Sequence, residues 1–120
     1  MSYIDGFLLA VPTANKDRYR EMAEFASSMF REWGAIRQVE TWGDDVPDGK
    51  VTSFPMAVKM EADETVVFSW IEWPDKATRD AAHEKMMSDP RMEQFKEMPF
   101  DGMRMIFGGF VPIMDVGAGG

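Results

Sequence analysis

Three polar side chains stand where they could take part in chemistry, and they are Glu72, Arg104 and His83. Glu72 lies inside the aromatic run formed by residues 66–73. A carboxyl group held in an apolar cavity can act as a general acid or base. It can equally form a salt bridge with Arg104 or Arg37 on a neighbouring strand, and the sequence favours this structural role.

Arg104 belongs to a run in which alternate residues would share one face of a strand. This alternation places it with Ile106 and Phe110. A guanidinium group in that setting can bind an anionic group of a substrate. It can also pair with Glu72 or Glu40, and the sequence leaves both roles open.

His83 is the only histidine of the chain. Asp80 precedes it by three residues and Glu84 follows it, so Asp80 and His83 could share one face of a helix. Such a set could ligate a metal ion. A partly exposed histidine beside ordinary surface acids explains the same residues more simply, so no metal site is predicted.

The segment 36–42 alternates polar and apolar residues and is the most polar of the predicted strands. Its polar side chains suit either an exposed edge strand or a strand that faces a wet cavity. Five residues from the first two strands could line such a cavity: Tyr3, Asp5, Gln38, Glu40 and Trp42. Gly108-Gly109 lacks the spacing and the following helix of a phosphate-binding loop, so no cofactor is predicted.

Length and composition limit the class of protein. A chain of 120 residues fits one domain, here residues 1–116, followed by a flexible glycine-rich tail at 117–120. The chain contains no cysteine, which excludes disulfides and thiolate chemistry and indicates a reducing cytoplasm. No segment has the pattern of a signal peptide or the length of a membrane span, so no membrane association is expected.

The charge balance excludes one class of partner. The chain carries 13 basic and 21 acidic residues, a net charge of −8. Proteins that bind nucleic acid need a basic patch that neutralises phosphates. With its basic residues scattered among more numerous acids, this chain is not expected to bind nucleic acid.

Hydrophobic periodicity predicts the secondary structure. The predicted strands are residues 3–11, 36–42, 65–73 and 103–114, the long helices follow Asn15 and Asp75, and short helices cover 54–60 and 90–97. Asn15 and Asp75 are expected to cap their helices, and Gly34 to end the first one. The inner stripe of the second long helix is predicted to be Ala77, Ala81, Ala82, Lys85 and Met86.

The order β-α-β-β-α-β is that of an α+β ferredoxin-like fold with an extra short helix and a four-stranded antiparallel sheet. In this fold the helices cover only one face of the sheet. At least three strands nevertheless carry large apolar residues on both faces. An exposed face of that size is rare on monomers, so we predict a homodimer that pairs two sheets into a dimeric α/β barrel.

Several stretches also carry a resemblance to a known family, namely residues 3–7, 66–73, 87–92 and 98–110. The most specific are Phe-Ser-Trp-Ile-Glu at 68–72 and Arg-Met-Ile-Phe-Gly-Gly-Phe at 104–110. Together they resemble the uncharacterised bacterial YbaA-like family, over nearly the whole chain. The resemblance implies a dimeric α/β-barrel fold and no established activity, so it assigns no catalytic residue.

Two functional classes remain open at this point. The first is a small-molecule-binding dimer, with or without catalysis, whose cavity lies inside the barrel or between sheet and helices. The second is a non-catalytic dimer that serves as an interaction or regulatory module, as its acidic surface and lack of a catalytic motif would suit.

Overall fold

A computed structural model describes residues 2–117 as a four-stranded antiparallel sheet with its two long helices packed on one face. The strands are β1 (Tyr3–Pro12), β2 (Arg37–Trp42), β3 (Glu64–Trp73) and β4 (Ile106–Phe110), and the helices are α1 (Lys16–Glu32), α2 (Phe54–Ala57) and α3 (Lys76–Ser88). Short 3₁₀ segments cover Thr13–Asn15, Pro90–Phe95 and Gly102–Arg104. The strand order β2-β3-β1-β4 makes β2 an edge strand, as its polar pattern indicated.

The central pair β1 and β3 forms the framework of the molecule. Its register runs from Tyr3 opposite Trp73 to Pro12 opposite Glu64. Alternate residues of each strand point to α1 and α3. They include the nearly inaccessible side chains Leu9, Val11, Val67, Ile71 and Trp73. Each such side chain contributes about 1.5–3 kcal/mol when it is removed from water. The helix-facing layer is therefore the core that holds α1 and α3 in place.

Helix α1 has its buried side chains at the predicted spacing, with Tyr19 and Met29 turned to the sheet. Asn15 occupies the N-cap position, but its side chain makes no cap and instead donates from Nδ2 to the Pro99 carbonyl at 2.9 Å. Gly34 ends the helix region with a φ of 108°, the left-handed conformation that favours glycine. The predicted stop is confirmed.

Helix α3 begins as predicted, because the Asp75 carboxylate accepts a hydrogen bond from the Thr78 backbone N–H at 2.7 Å. Its inner face differs from the prediction. Ala77, Ala81 and Lys85 are exposed, and the residues turned toward the sheet are Arg79, Ala82, His83 and Met86. A buried carboxylate on β1, described below, turns Arg79 and His83 inward.

The last strand is much shorter than predicted. Residues 103–114 alternate like a strand, but only Ile106–Phe110 pairs with β1. Upstream, the Asp101 side chain accepts from the Met103 backbone N–H at 3.0 Å and closes a 3₁₀ turn. Downstream, Pro112 offers no backbone donor and the chain leaves the sheet. Residues 111–117, here called the C-terminal arm, follow; the rest of the predicted tail, residues 118–120, lies outside the described residues.

The sheet surface opposite α1 and α3, here called the open face, is apolar as predicted. One end of it is covered by the segment that contains α2, where Val58 packs on Ala10 and Val66. The open face presents Ile4, Leu8, Phe68, Trp70, Ile106 and Phe110. The ring of Phe110 lies over Gly6, where an added Cβ would come within 3.3 Å of it. A shallow groove of about 630 Å³ runs along this surface. Within residues 2–117, no helix combines the length and apolar character needed to cross a bilayer.

Candidate functional site

A cavity of about 200 Å³, here called the inner cavity, lies between α1 and the helix-facing side of the sheet. Most of its wall is apolar, with flexible methionines and aromatic rings from the segment after α3: Met92, Phe95, Met98, Phe100 and Met105. Methionine adapts readily to the shape of its neighbours. The polar part of the wall is concentrated at β2, which makes that end the place where a ligand would be oriented.

Three side chains form the polar end, and we call them the Glu40 cluster: Tyr19, Gln38 and Glu40. The Tyr19 hydroxyl donates to Glu40 Oε1 at 2.5 Å, and Gln38 Nε2 donates to Glu40 Oε2 at 2.9 Å. Gln38 and Glu40 share the helix-facing side of β2 because they are two residues apart. Ser69, buried on β3, lies directly across from Glu40. Helix and sheet thus meet at one carboxylate.

Tyr19 is fixed as a hydrogen-bond donor. Burial raises the pKa of its hydroxyl well above the ordinary value, and the neighbouring Glu40 carboxylate raises it further by its charge and its hydrogen bond. The phenol therefore keeps its proton across the physiological range. Its role is to hold Glu40 in place.

One polar atom of the cluster lacks a partner. The side-chain oxygen of Gln38 is buried, and no donor within residues 2–117 reaches it. Reversing the amide would not help, since its oxygen would then face the Glu40 carboxylate oxygen. Leaving a buried acceptor unpaired costs about 1–3 kcal/mol. Because Gln38 lines the inner cavity, a molecule bound there could satisfy this acceptor if the side chain turned slightly toward it.

The Glu40 cluster also borders a second space. An outer cleft of about 360 Å³ lies between α1 and β2, and all three residues of the cluster line it. Trp42 and Lys16 flank this cleft, with the Lys16 ammonium group 5.5 Å from the centre of the indole ring. The cluster therefore stands between a polar cleft and an apolar cavity.

A different polar cluster surrounds Asp5, whose side chain is only 4% exposed. It accepts from Trp73 Nε1 at 2.9 Å and from Arg79 at 3.0 Å, and it lies 3.1 Å from His83 Nε2. The Arg79 guanidinium also lies over the ring of Tyr3, 5.2 Å from its centre. Because Arg79 and His83 belong to α3, their contacts with this buried carboxylate hold α3 on the sheet, so the Asp5 cluster has a structural role.

Asp80 and His83, which could share a helix face, have different partners. Asp80 pairs with Lys76 at 2.8 Å and with Arg79 at 2.9 Å, while His83 turns to Asp5. No three histidine, aspartate or glutamate side chains of residues 2–117 are grouped so that they could hold a metal ion. Tyr3 and Asp5, which could have lined one cavity with Gln38 and Glu40, instead belong to this separate cluster.

Arg104 does not lie on β4, and it pairs with neither Glu72 nor Glu40. It sits in the 3₁₀ turn before the strand and donates to both oxygens of Glu64, at 2.7 and 2.6 Å. It also bonds Asp101 and the Lys59 carbonyl. The strand prediction was wrong at this residue because Gly102–Arg104 forms a 3₁₀ turn closed by the Asp101 side chain, although residues 103–110 alternate like a strand. Because its guanidinium group is bonded to Glu64, Asp101 and the Lys59 carbonyl, Arg104 has a structural role, and we call this set of contacts the Arg104 clamp.

The clamp has a testable pH dependence. The hydrogen bonds from Arg104 hold the pKa of Glu64 below its ordinary value of 4.5. A lowered pKa in the folded state stabilises the fold above about pH 4.5, and this contribution is lost as the pH falls through the folded value. Arg104→Met is therefore expected to lower the urea midpoint at about pH 7 and to have much less effect at about pH 3.

Arg20→Met is the matched control for this measurement. Arg20 and Glu24 form an exposed pair at 3.7 Å, which should contribute little at either pH. Equal losses for Arg20→Met and Arg104→Met, or a loss that persists undiminished in acid, would contradict the assigned role of Arg104.

Glu72 lies on the open face with Trp70 and Phe68, as its position in the alternation predicted. Its register neighbours are Ile4 on β1 and Arg37 on β2. Among residues 2–117 no cation comes within 4.0 Å of its carboxylate, so neither predicted salt bridge is present. Glu72 is remote from the inner cavity, on the other side of the sheet.

The residue that sequence reasoning missed is Tyr19. It lies on the buried, largely apolar face of α1 with Ala23 and Met29, where its spacing indicates a core residue. Of the residues that could line a cavity, Gln38, Glu40 and Trp42 do line one, although β2 is also an edge strand. The polar pattern of β2 was thus a sound signal, but nothing in the sequence showed that a tyrosine hydroxyl would meet it.

Two solved structures share this architecture. Both are described as dimeric ferredoxin-like proteins from an uncultured marine organism. One aligns with a TM-score of 0.62 over 98% of this chain and 100% of its own, and the other with 0.54 over 96% and 98%. Sequence identity is 12% in each case, so these similarities establish the ferredoxin-like fold and nothing more.

Sequence comparison gives a closer relationship. The chain is 65% identical over 116 residues to the uncharacterized protein YbaA of Escherichia coli K12, covering 96% of this chain and 99% of that protein. The YbaA of Shigella flexneri matches equally. The model of the family described as "Protein of unknown function (DUF1428)" matches residues 2–102. The resemblance seen in the sequence is confirmed, and the chain belongs to the DUF1428 family.

Proposed function

We propose that this protein is a homodimer in which each protomer binds a small molecule in the inner cavity. The ligand's apolar body would occupy the methionine- and aromatic-lined space, and its polar group would reach the Glu40 cluster. The observation that carries this proposal is the unpartnered side-chain oxygen of Gln38, a residue that lines the cavity. A ligand that bonded this oxygen would remove the cost of leaving it unpaired.

The composition of the cavity supports binding. Ligand sites are mostly apolar with a few placed polar groups, and the inner cavity has this composition. The Glu40 cluster is held by strand β2 and helix α1, so its geometry does not depend on a loop. The methionines on the opposite wall can adjust to the ligand's outline.

Dimerisation is supported by the open face and the C-terminal arm. The open face exposes Phe68, Ile106 and Phe110 together, and the arm exposes further large apolar side chains, with Ile113 at 99%. A second copy laid face to face would cover both surfaces in one isologous interface. The two solved proteins of the same fold are described as dimeric. The inner cavity opens on the other side of the sheet, so dimerisation would leave it accessible.

A fragment screen by ligand-observed NMR tests the binding proposal. Fragments that bind should lose affinity in Ala26→Phe, because Ala26 lines the inner cavity and a phenyl ring there would fill it. Ala81→Phe, on the exposed side of α3, adds the same ring away from the cavity and should retain binding. We expect at least about a 10-fold loss in the first variant, which corresponds to about 1.4 kcal/mol.

Two outcomes of the screen would contradict the proposal. One is that no fragment binds the parent protein. The other is that fragments bind the Ala26→Phe variant with the same affinity as the parent protein. In either case the alternative of a non-catalytic interaction dimer would be favoured, since the exposed arm is a surface that suits protein contacts.

A further inference from the structure

The hydrogen-bonding state of the Glu40 cluster restricts the chemistry of the ligand. The Tyr19 hydroxyl and one N–H of the Gln38 amide both donate to the Glu40 carboxylate, so the second N–H of that amide is the one donor left over. Acceptor capacity remains free on Gln38 Oε1 and on the carboxylate oxygens, each of which has more than one lone pair. The cluster therefore has more free acceptor than donor capacity, and its one buried atom without a partner is an acceptor.

The negative charge of Glu40 also favours a ligand that donates hydrogen bonds. The Glu40 carboxylate would repel an anionic group placed at this end of the cavity, and it would strengthen a hydrogen bond from a cationic donor. Arg20, a cation that lines the outer cleft, lies 3.7 Å from Glu24, and Lys16 lies over the Trp42 ring. These basic groups are thus already placed against other partners at the mouth of the cleft.

The size of the inner cavity limits the rest of the molecule. Its volume of about 200 Å³ falls below the roughly 300–1,000 Å³ of pockets that hold drug-sized ligands. One ring with a short side chain is a suitable apolar body. Aromatic side chains such as Phe95 and Phe100 in the wall favour a ring there.

From these observations we infer that the ligand is a small, single-ring or similarly compact molecule that ends in a primary alcohol or primary amine. Its O–H or N–H group donates to Gln38 Oε1 and to the Glu40 carboxylate, while its apolar body fills the inner cavity. This inference rests on the proposed binding function and specifies the class of ligand for the same site.

Four matched probes test it: 2-phenylethanol, 2-phenylethylamine, 3-phenylpropanoate and ethylbenzene. Dissociation constants are measured for each by NMR titration. The alcohol and the amine are expected to bind at least about 10-fold more tightly than ethylbenzene, the gain of one buried hydrogen bond of about 1.4 kcal/mol. The carboxylate is expected to bind more weakly than ethylbenzene because it is an anion without a donor.

A variant assigns the effect to the orphaned acceptor. Gln38→Met keeps the length of the side chain and removes its amide, so the alcohol and the amine should lose their advantage while ethylbenzene binds as before. Gln94→Met, at an exposed position outside the inner cavity, is the control and should change neither.

The outcomes distinguish failure of the inferred ligand class from failure of the proposed binding site. Binding of 3-phenylpropanoate as tight as that of the alcohol, or equal binding of all four probes, would overturn the inferred ligand class and leave the cavity as a binding site. If none of the four probes binds, the proposed function fails and the inference fails with it.

Discussion

Phe110→Glu is expected to convert a dimer of twice 13.7 kDa into a 13.7-kDa monomer in light scattering at micromolar concentration. Phe110 is 59% exposed in the isolated protomer, so a glutamate there should leave the fold intact. In a face-to-face dimer, however, the substitution would place two unpaired carboxylates, one from each protomer, in the buried interface. A buried, uncompensated charge costs about 3–5 kcal/mol. The dissociation constant should therefore rise by about 100-fold or more.

Met87→Glu is the matched control, since Met87 is 89% exposed on α3, on the other side of the sheet. This variant should remain dimeric. A monomeric parent protein, or a Phe110→Glu variant that stays dimeric at the same concentration, would rule out dimerisation through the open face.

Asp5→Ala is expected to destabilise the protomer by about 3–5 kcal/mol in urea denaturation, the range found when one partner of a buried ion pair is removed. The substitution leaves the largely buried Arg79 guanidinium without its carboxylate and removes the acceptor of the Trp73 indole N–H. Domains have only about 5–15 kcal/mol of total stability, so a large part of it would be lost.

Two further variants isolate the cause. Asp80→Ala removes an exposed carboxylate that also contacts Arg79, and it should have a small effect. Asp5→Leu combined with Arg79→Leu removes both charges, and it should be less destabilising than Asp5→Ala alone if the unpaired guanidinium is the main cost. Similar losses for Asp5→Ala and Asp80→Ala would show that the Asp5 cluster does not hold α3.

The fold was predictable because its strands and helices have strong and consistent periodicities. The alternation in β1 and β3, the apolar stripe of α1 and the capping Asp75 each agree with the observed elements. The apolar character of both sheet faces could also be read from the sequence, because a period of two assigns every side chain of a strand to a face.

The polar contacts were less predictable, because they depend on how distant segments meet. Arg104 alternates with Ile106 and Phe110 as if on a strand, and only the Asp-Gly pair at 101–102 signalled a turn there. Arg79 did not belong to the predicted inner stripe of α3. It turns inward only because Asp5 lies beneath it.

In the candidate site, too, the strand pattern was predictable and the polar contacts were not. The polar pattern of β2 indicated a cavity or an edge, and the structure contains both. That Gln38 would be left with an unpaired oxygen could not be read from the sequence, since this depends on the exact positions of Tyr19 and Glu40 across two elements.

The most direct test of the binding site is a titration with 2-phenylethanol followed by two-dimensional ¹H–¹⁵N NMR. Saturable shifts are expected at the backbone amides of Tyr19, Ala23 and Glu40 and at the side-chain amide of Gln38. Shifts confined to the open face, for example at Phe68 and Ile106, or no saturable shift at all, would contradict a ligand site between α1 and the sheet.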